Sequence, residues 1–123
     1  DFQVQSLYEG GVFNIENIYF DNNSYEIKPV TKEVLFEFAK YLQLNNTLVI
    51  EINGFTDSIG SVIDNKLLSE YRAKAVRDLI VSEGVSASRV YYNGYGELSP
   101  ISSNSSEEGR ANNRRTEFRI IKQ

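Results

Sequence analysis

The spacing of apolar residues constrains the fold of this chain more than any other feature, because stretches with helical spacing alternate with strand-like segments. After Pro29, which suits the first turn of a helix, apolar residues recur at three- and four-residue spacing and predict an amphipathic helix. A longer helix is predicted from about Asp64 to Glu83, with Gly84 where a glycine commonly follows a helix. The apolar residues expected to face the core are, in the first helix, Val34, Leu35, Phe38, Ala39 and Leu42, and in the second, Leu68, Tyr71, Ala75, Val76, Leu79 and Ile80.

Short segments rich in β-branched and aromatic residues flank these helices and predict strands. They lie at residues 12–21, with a break near Asn17, at 47–53, around 89–92 with a turn at Asn93-Gly94, and at 116–121. Ser106 and the acids after it are typical of the start of a short helix. The order β-α-β-α-β-(α)-β predicts an α+β fold, a two-layer sandwich in which a mixed sheet of about four strands carries the helices on one face.

The polar residues 1–11 end in two glycines and are interpreted as a leader or linker, so the predicted domain covers residues 12–123. The chain begins with Asp1, and we expect it to be a piece of a longer protein.

The composition excludes several kinds of chemistry. The chain has no cysteine and no histidine, which rules out thiolate nucleophiles, cysteine metal sites and Ser-His-Asp triads. With 17 acidic and 13 basic residues the net charge is -4, which argues against binding to nucleic-acid phosphates. No cofactor or metal is predicted.

One stretch brings an acid, an amide and a guanidinium close together. Asn65 and Arg72 are seven residues apart and therefore lie on nearly the same helical face, while Asp57 belongs to the loop before them. Such a set suits a zwitterion, because arginine matches a carboxylate with two parallel bonds and aspartate accepts from an ammonium. On spacing alone, a structural alternative is favoured, in which Asp57 stabilises a turn, Asn65 caps the helix and Arg72 forms a surface ion pair.

Two further groups of charged residues are open to more than one interpretation. Four arginines near the C-terminus either form a cationic patch or lie on a solvated face: Arg110, Arg114, Arg115 and Arg119. The loop acids Glu97, Glu107 and Glu108 include no pair whose spacing indicates a glycosidase, and solvated loop acids are favoured.

Four linked motifs resemble one known family. They are "GFTD" at 54–57, "NKLLSEYRA" at 65–73, "GYGELSP" at 94–100 and "GRANNRR" at 109–115. Their order and spacing resemble the OmpA-like C-terminal domain, a peptidoglycan-binding module, over about residues 18–121.

The resemblance implies a domain that grips the stem peptide of peptidoglycan without catalysis and anchors an outer-membrane protein to the cell wall from the periplasm. The ligand implied is meso-diaminopimelate, with Asp57 binding its ammonium and Arg72 its carboxylate. The remaining residues assigned to the site are Thr56, Asn65 and Asn23 as polar pocket positions, and Arg115 as a support.

One position departs from the family pattern, since Phe55 replaces the usual histidine before Thr-Asp.

Three questions stay open. The domain either binds the wall or serves as a structural or protein-interaction domain of the same fold; wall hydrolysis is not expected. The parent is a porin-like protein, a lipoprotein or a flagellar-stator-like anchor, and its oligomeric state does not follow from the sequence.

Overall fold

A four-stranded mixed sheet forms one layer of the fold in the computed structural model, which describes residues 11–14 and 18–123. The parallel strands β2 and β3 lie side by side, and β4 runs antiparallel to both β2 and β1. The prediction of a mixed sheet of about four strands is therefore confirmed. The strands, in the spatial order β1-β4-β2-β3, are β1 (Val12–Asn14), β4 (Thr116–Lys122), β2 (Val49–Gly54) and β3 (Val90–Gly94).

Three α-helices of the described residues complete the fold, and a serine caps the start of the second and of the third. They are α1 (Pro29–Leu44), α2 (Val62–Ser82) and α3 (Glu107–Asn113). The Ser106 hydroxyl accepts a hydrogen bond from the backbone N–H of Gly109 at 3.0 Å, which satisfies one free donor at the start of α3. Across residues 11–14 and 18–123, no helix combines the length and the apolar character needed to cross a bilayer.

The core lies between the sheet and the helices α1 and α2. Phe38 of α1 packs edge to face against Phe118 of β4, with ring centroids 5.1 Å apart. Burying a side chain of this size contributes roughly 1.5–3 kcal/mol, so the apolar faces of the two helices hold them on the sheet. The fully buried side chains include Leu35, Leu42, Ile50, Ile52, Val76, Ile80 and Ile120.

Helix α2 differs from its predicted form at its N-terminal half. It begins at Val62, and Tyr71, which was expected in the core, is 48% exposed. The helix passes so close to the ends of β2 and β3 that a Cβ at Gly54 or Gly94 would overlap its backbone. Only small or polar side chains fit there, and the face toward the sheet carries Asn65, Ser69 and Ala73 rather than the large apolar residues.

Two strand predictions were wrong in extent. Strand β1 ends at Asn14, and residues 18–20 are not in a strand, while the predicted break near Asn17 lies outside the described residues. Strand β3 continues through Asn93-Gly94, which was predicted as a turn, because these residues pair with the end of β2. The predicted leader lies almost entirely outside the described residues.

Candidate functional site

The loop that follows β2 presents a nearly buried carboxylate. Asp57 is only 8% exposed, and its Oδ1 accepts a hydrogen bond from the backbone N–H of Ile59 at 3.0 Å. Thr56 holds this segment from both sides, since its N–H donates to the carbonyl of Gly96 at 2.7 Å and its hydroxyl donates to the carbonyl of Asp57 at 2.8 Å. The orientation of the carboxylate is therefore set by the backbone around it.

Asn65, in the first turn of α2, ties the same loop to the helix. Its Nδ2 donates to the carbonyl of Asp57 at 3.3 Å and to the carbonyl of Ile59 at 3.0 Å. These bonds use both amide hydrogens, so only the amide oxygen is left to face a ligand. The structure brings Asn65 to Asp57 as the sequence predicted, with a positioning role more prominent than a binding one.

Arg72, two turns further along α2, reaches the turn that precedes α1. Its Nε donates to the carbonyl of Ser24 at 2.8 Å, and its Nη2 donates to the carbonyl of Asp21 at 3.0 Å. The guanidinium also lies over the ring of Phe20, 5.0 Å from its centroid. Arg72 therefore fastens this turn to α2.

Asn23 lies at the tip of the turn fastened by Arg72. Its φ of +55° is in the left-handed region, which asparagine tolerates better than most residues. The turn closes with a bond from the N–H of Ser24 to the carbonyl of Asp21 at 3.0 Å. Asn23 thus belongs to the segment beside Arg72, as its assignment to the site requires.

Arg114 is the residue that the sequence analysis left out of the site. Its Nη1 donates to Oδ2 of Asp57 at 2.7 Å, and its Nη2 donates to Oε2 of Glu107 at 2.6 Å. The bonds to Glu107 and to Asp57 raise the pKa of Arg114, and the bond from Arg114 lowers the pKa of Glu107. The paired arginines of "NNRR" were the available signal, and Arg114, the cap residue at the end of α3, is the one that faces Asp57.

Arg115, which was predicted as a site residue, lies behind the loop. Its guanidinium is 3.9 Å from the ring centroid of Phe55, which in turn stacks on Tyr95 at 5.3 Å. Its Nε donates to the carboxylate of Glu117 at 2.7 Å, and its Nη2 to the carbonyl of Ser99 at 2.9 Å. Arg115 and Phe55 thus form a packed support under the residues Thr56 and Asp57.

The charges of Asp57 and Arg72 act on each other without forming an ion pair. Asp57 forms its ion pair with Arg114 instead. Burial lowers the pKa of the Arg72 guanidinium, the positive charge of Arg114 lowers it further, and the Asp57 carboxylate acts in the opposite direction. An arginine remains protonated under any such shift, so a positive and a negative side chain lie near each other here.

The four C-terminal arginines do not form a free cationic patch. Each lies within ion-pair distance of an acid: Arg110 of Glu107 at 3.4 Å, Arg114 of Asp57 at 2.7 Å, Arg115 of Glu117 at 2.7 Å and Arg119 of Glu51 at 3.9 Å. Within the described part of the chain, no group of three or more acidic residues is placed to hold a metal ion.

Comparison with known proteins confirms the resemblance given by the four motifs. The model of the OmpA family matches residues 19–114. The chain is 40% identical to outer membrane protein A of Bordetella avium over 89% of its own length and 56% of that protein. It is also 40% identical to the peptidoglycan-binding protein ArfA of Mycobacterium tuberculosis, over 82% of its length and 31% of ArfA. The chain thus spans about half the length, or less, of these curated relatives.

A solved structure shows the same fold. The crystal structure of a MotB-like protein from Desulfovibrio vulgaris superposes with a TM-score of 0.81 at 29% identity, covering 95% of this chain and 77% of that one. The relatives carry the names of membrane and peptidoglycan-binding proteins rather than of enzymes, which confirms the expectation of a non-catalytic protein.

Proposed function

Because the chain belongs to the OmpA family, we propose that it binds peptidoglycan non-covalently through the diaminopimelate of the stem peptide. The free ammonium of that residue binds Asp57, and the neighbouring carboxylate binds Arg72. The domain resides in the periplasm and anchors an outer-membrane parent protein to the cell wall. The names of the peptidoglycan-binding protein ArfA and of outer membrane protein A support the ligand class and the location.

One observation carries the proposal: Asp57 and Arg72 bear opposite charges at one end of the molecule, and neither neutralises the other. Arg72 uses its Nε and one Nη2 hydrogen on backbone carbonyls, and it donates no other hydrogen bond to residues 11–14 or 18–123. Its Nη1 remains for a carboxylate. A shielded bond of this kind contributes about 1.5–3 kcal/mol, so a single site binds modestly and many copies facing a polymer bind more firmly.

Arg114 adds a condition to the binding of the ammonium. The ligand ammonium either shares the Asp57 carboxylate with Arg114 or displaces Arg114 toward Glu107. Glu107 already accepts a hydrogen bond from the other terminal nitrogen of Arg114. Either arrangement leaves each charge paired, which limits the desolvation cost of a buried carboxylate.

Retention on insoluble peptidoglycan tests the proposal. We expect the wild-type domain to sediment with the polymer and the variants Asp57→Ala and Arg72→Ala each to stay in solution. Asp78→Ala and Arg119→Ala are matched controls, because each removes the same charge as the corresponding site variant from a more exposed side chain. If the wild type itself stays in solution, the domain is a structural or interaction module instead; if the site variants sediment like the wild type, Asp57 and Arg72 are not the residues that bind the wall. Release of soluble muropeptides would indicate hydrolysis.

A further inference from the structure

Two exposed tyrosines form an aromatic pair beside the candidate site. The ring centroids of Tyr25 and Tyr71 are 5.2 Å apart, and the ring planes are inclined by 37°. Tyr25 is 54% exposed and Tyr71 48% exposed. Aromatic side chains usually contribute most when buried, so two large rings that touch each other and leave half their surface in solvent indicate a contact surface.

The backbone on either side of Tyr25 is fixed by hydrogen bonds. The carbonyl of Ser24 accepts from Arg72 Nε at 2.8 Å, and the hydroxyl of Ser24 accepts from the N–H of Glu26 at 3.0 Å. Tyr71 lies in the middle of α2 and has a helical backbone. The tyrosine pair is therefore preorganised, which lowers the entropy cost of binding a ligand there.

The tyrosine pair is continuous with the charged site. Tyr71 directly precedes Arg72 in α2, and Tyr25 directly follows Ser24, which is a hydrogen-bond partner of Arg72. The tyrosine pair therefore borders the turn that Arg72 holds against α2.

From this arrangement we infer that the Tyr25–Tyr71 pair is a saccharide subsite, which takes the amino sugar to which the stem peptide is attached; this inference rests on the proposed function. Two amino acids separate diaminopimelate from that sugar, and because the glutamate is linked through its γ-carboxyl they span roughly 10 Å when extended, plus the lactyl link. The C–H face of a pyranose packs on aromatic rings, and the rings carry no charge that would favour a peptide acid instead. The exposed turn residue Asn22 offers a polar side chain for the sugar hydroxyls, while Lys28 already binds Oδ1 of the neighbouring Asp21.

Two ligands that differ only in the sugar test this inference. They are the tripeptide L-Ala-γ-D-Glu-meso-diaminopimelate and the same tripeptide joined to N-acetylmuramic acid. We expect the wild type to bind the sugar-bearing ligand about three- to tenfold more tightly, and the double variant Tyr25→Ala/Tyr71→Ala to lose that ratio while its affinity for the free tripeptide is unchanged. Tyr91→Ala, which removes an equally exposed tyrosine from β3, should keep the ratio.

Ring-proton NMR on the wild type gives the same answer without substitution. The Tyr25 and Tyr71 resonances should move with the sugar-bearing ligand more than with the free tripeptide. Equal affinity for the two ligands, or a ratio that survives in the double variant, overturns the inference alone and leaves the proposed function intact. A wild-type domain that binds neither ligand contradicts both.

Discussion

The two ends of the parallel strands β2 and β3 use a half-buried arginine in different ways. At the end where the strands begin, Arg89 donates to the carbonyls of Leu42, Asn45 and Leu48 at 2.8–2.9 Å. At the end where they finish, Arg72 donates to only two carbonyls, and the charges of Arg114 and Asp57 both shift its pKa. Burial lowers the pKa of both arginines, so burial alone does not distinguish them.

What distinguishes the two arginines is the kind of partner nearby. The three carbonyls that Arg89 joins belong to the end of α1 and the residues leading into β2, so this side chain closes the fold. Arg72 fastens a turn as well, but a carboxylate and a second guanidinium, from Asp57 and Arg114, lie close to it. Charges of both signs that lie close together and shift the pKa of a neighbouring side chain are typical of a ligand site.

Arg89→Ala should produce the largest loss of stability. The substitution leaves three carbonyls without their donor, and we expect the free energy of unfolding to fall by about 2–3 kcal/mol. Chemical denaturation measures this loss. The affinity of the remaining folded protein for the stem tripeptide should be unchanged; a weaker affinity would show that the two ends are not independent.

Arg72→Lys should affect binding more than stability. Lysine keeps the charge but lacks the planar fork that serves two carbonyls and a ligand carboxylate together, so we expect about a tenfold loss of affinity. Titration with the stem tripeptide, followed by amide chemical shifts, measures it. Arg119→Lys is the matched control, and equal losses in the two variants would contradict the special role of Arg72.

Phe55→His tests the packed support under the loop. Arg115 lies against this ring, so we expect the pKa of the introduced histidine to fall below its usual value of about 6.5. As the pH falls through about 6.5, the histidine is protonated in the unfolded chain but stays neutral in the folded one, whose pKa is lower. The free energy of unfolding therefore falls by roughly 1.4 kcal/mol for each unit by which the folded pKa lies below the unfolded pKa. Denaturation at pH 7.5 and 5 should show this loss in the variant but not in the wild type.

Glu107→Gln should have the smallest effect. The hydrogen bond from Arg114 lowers the pKa of the Glu107 carboxyl, so its contribution to stability is present above its ordinary value of 4.5 and is lost as the pH falls. The melting temperature of the variant should be slightly lower than that of the wild type at pH 7, and the gap should narrow as the pH falls below 4.5. A gap that is constant with pH would mean that the ion pair does not contribute.

The sequence predicted the fold class, and specific features made this possible, while the binding roles of Asp57 and Arg72 stay a prediction. The helical period of the residues after Asn65 placed Arg72 two turns along one face, and the serine before α3 marked its start. The core face of α2 was predicted wrongly at Tyr71, because the close approach of Gly54 and Gly94 to the helix is a tertiary contact with no local periodicity.

The partners of the charged residues were beyond the reach of the sequence. The carbonyls of Asp21 and Ser24 that bind Arg72 lie 51 and 48 residues away from it, and Arg114 lies 57 residues from Asp57. The motif "NNRR" holds two adjacent arginines, and only the folded chain shows that Arg114 faces Asp57 while Arg115 packs on Phe55.

The most direct test of the account compares two tripeptides that differ by one carboxylate. One is L-Ala-γ-D-Glu-meso-diaminopimelate, and the other carries L-lysine in the third position and therefore keeps the ammonium but lacks the adjacent carboxylate. We predict that the wild type binds the first about tenfold more tightly, in line with one shielded bond to Arg72, and that Arg72→Ala removes the preference. Equal binding of the two tripeptides by the wild type would contradict the account.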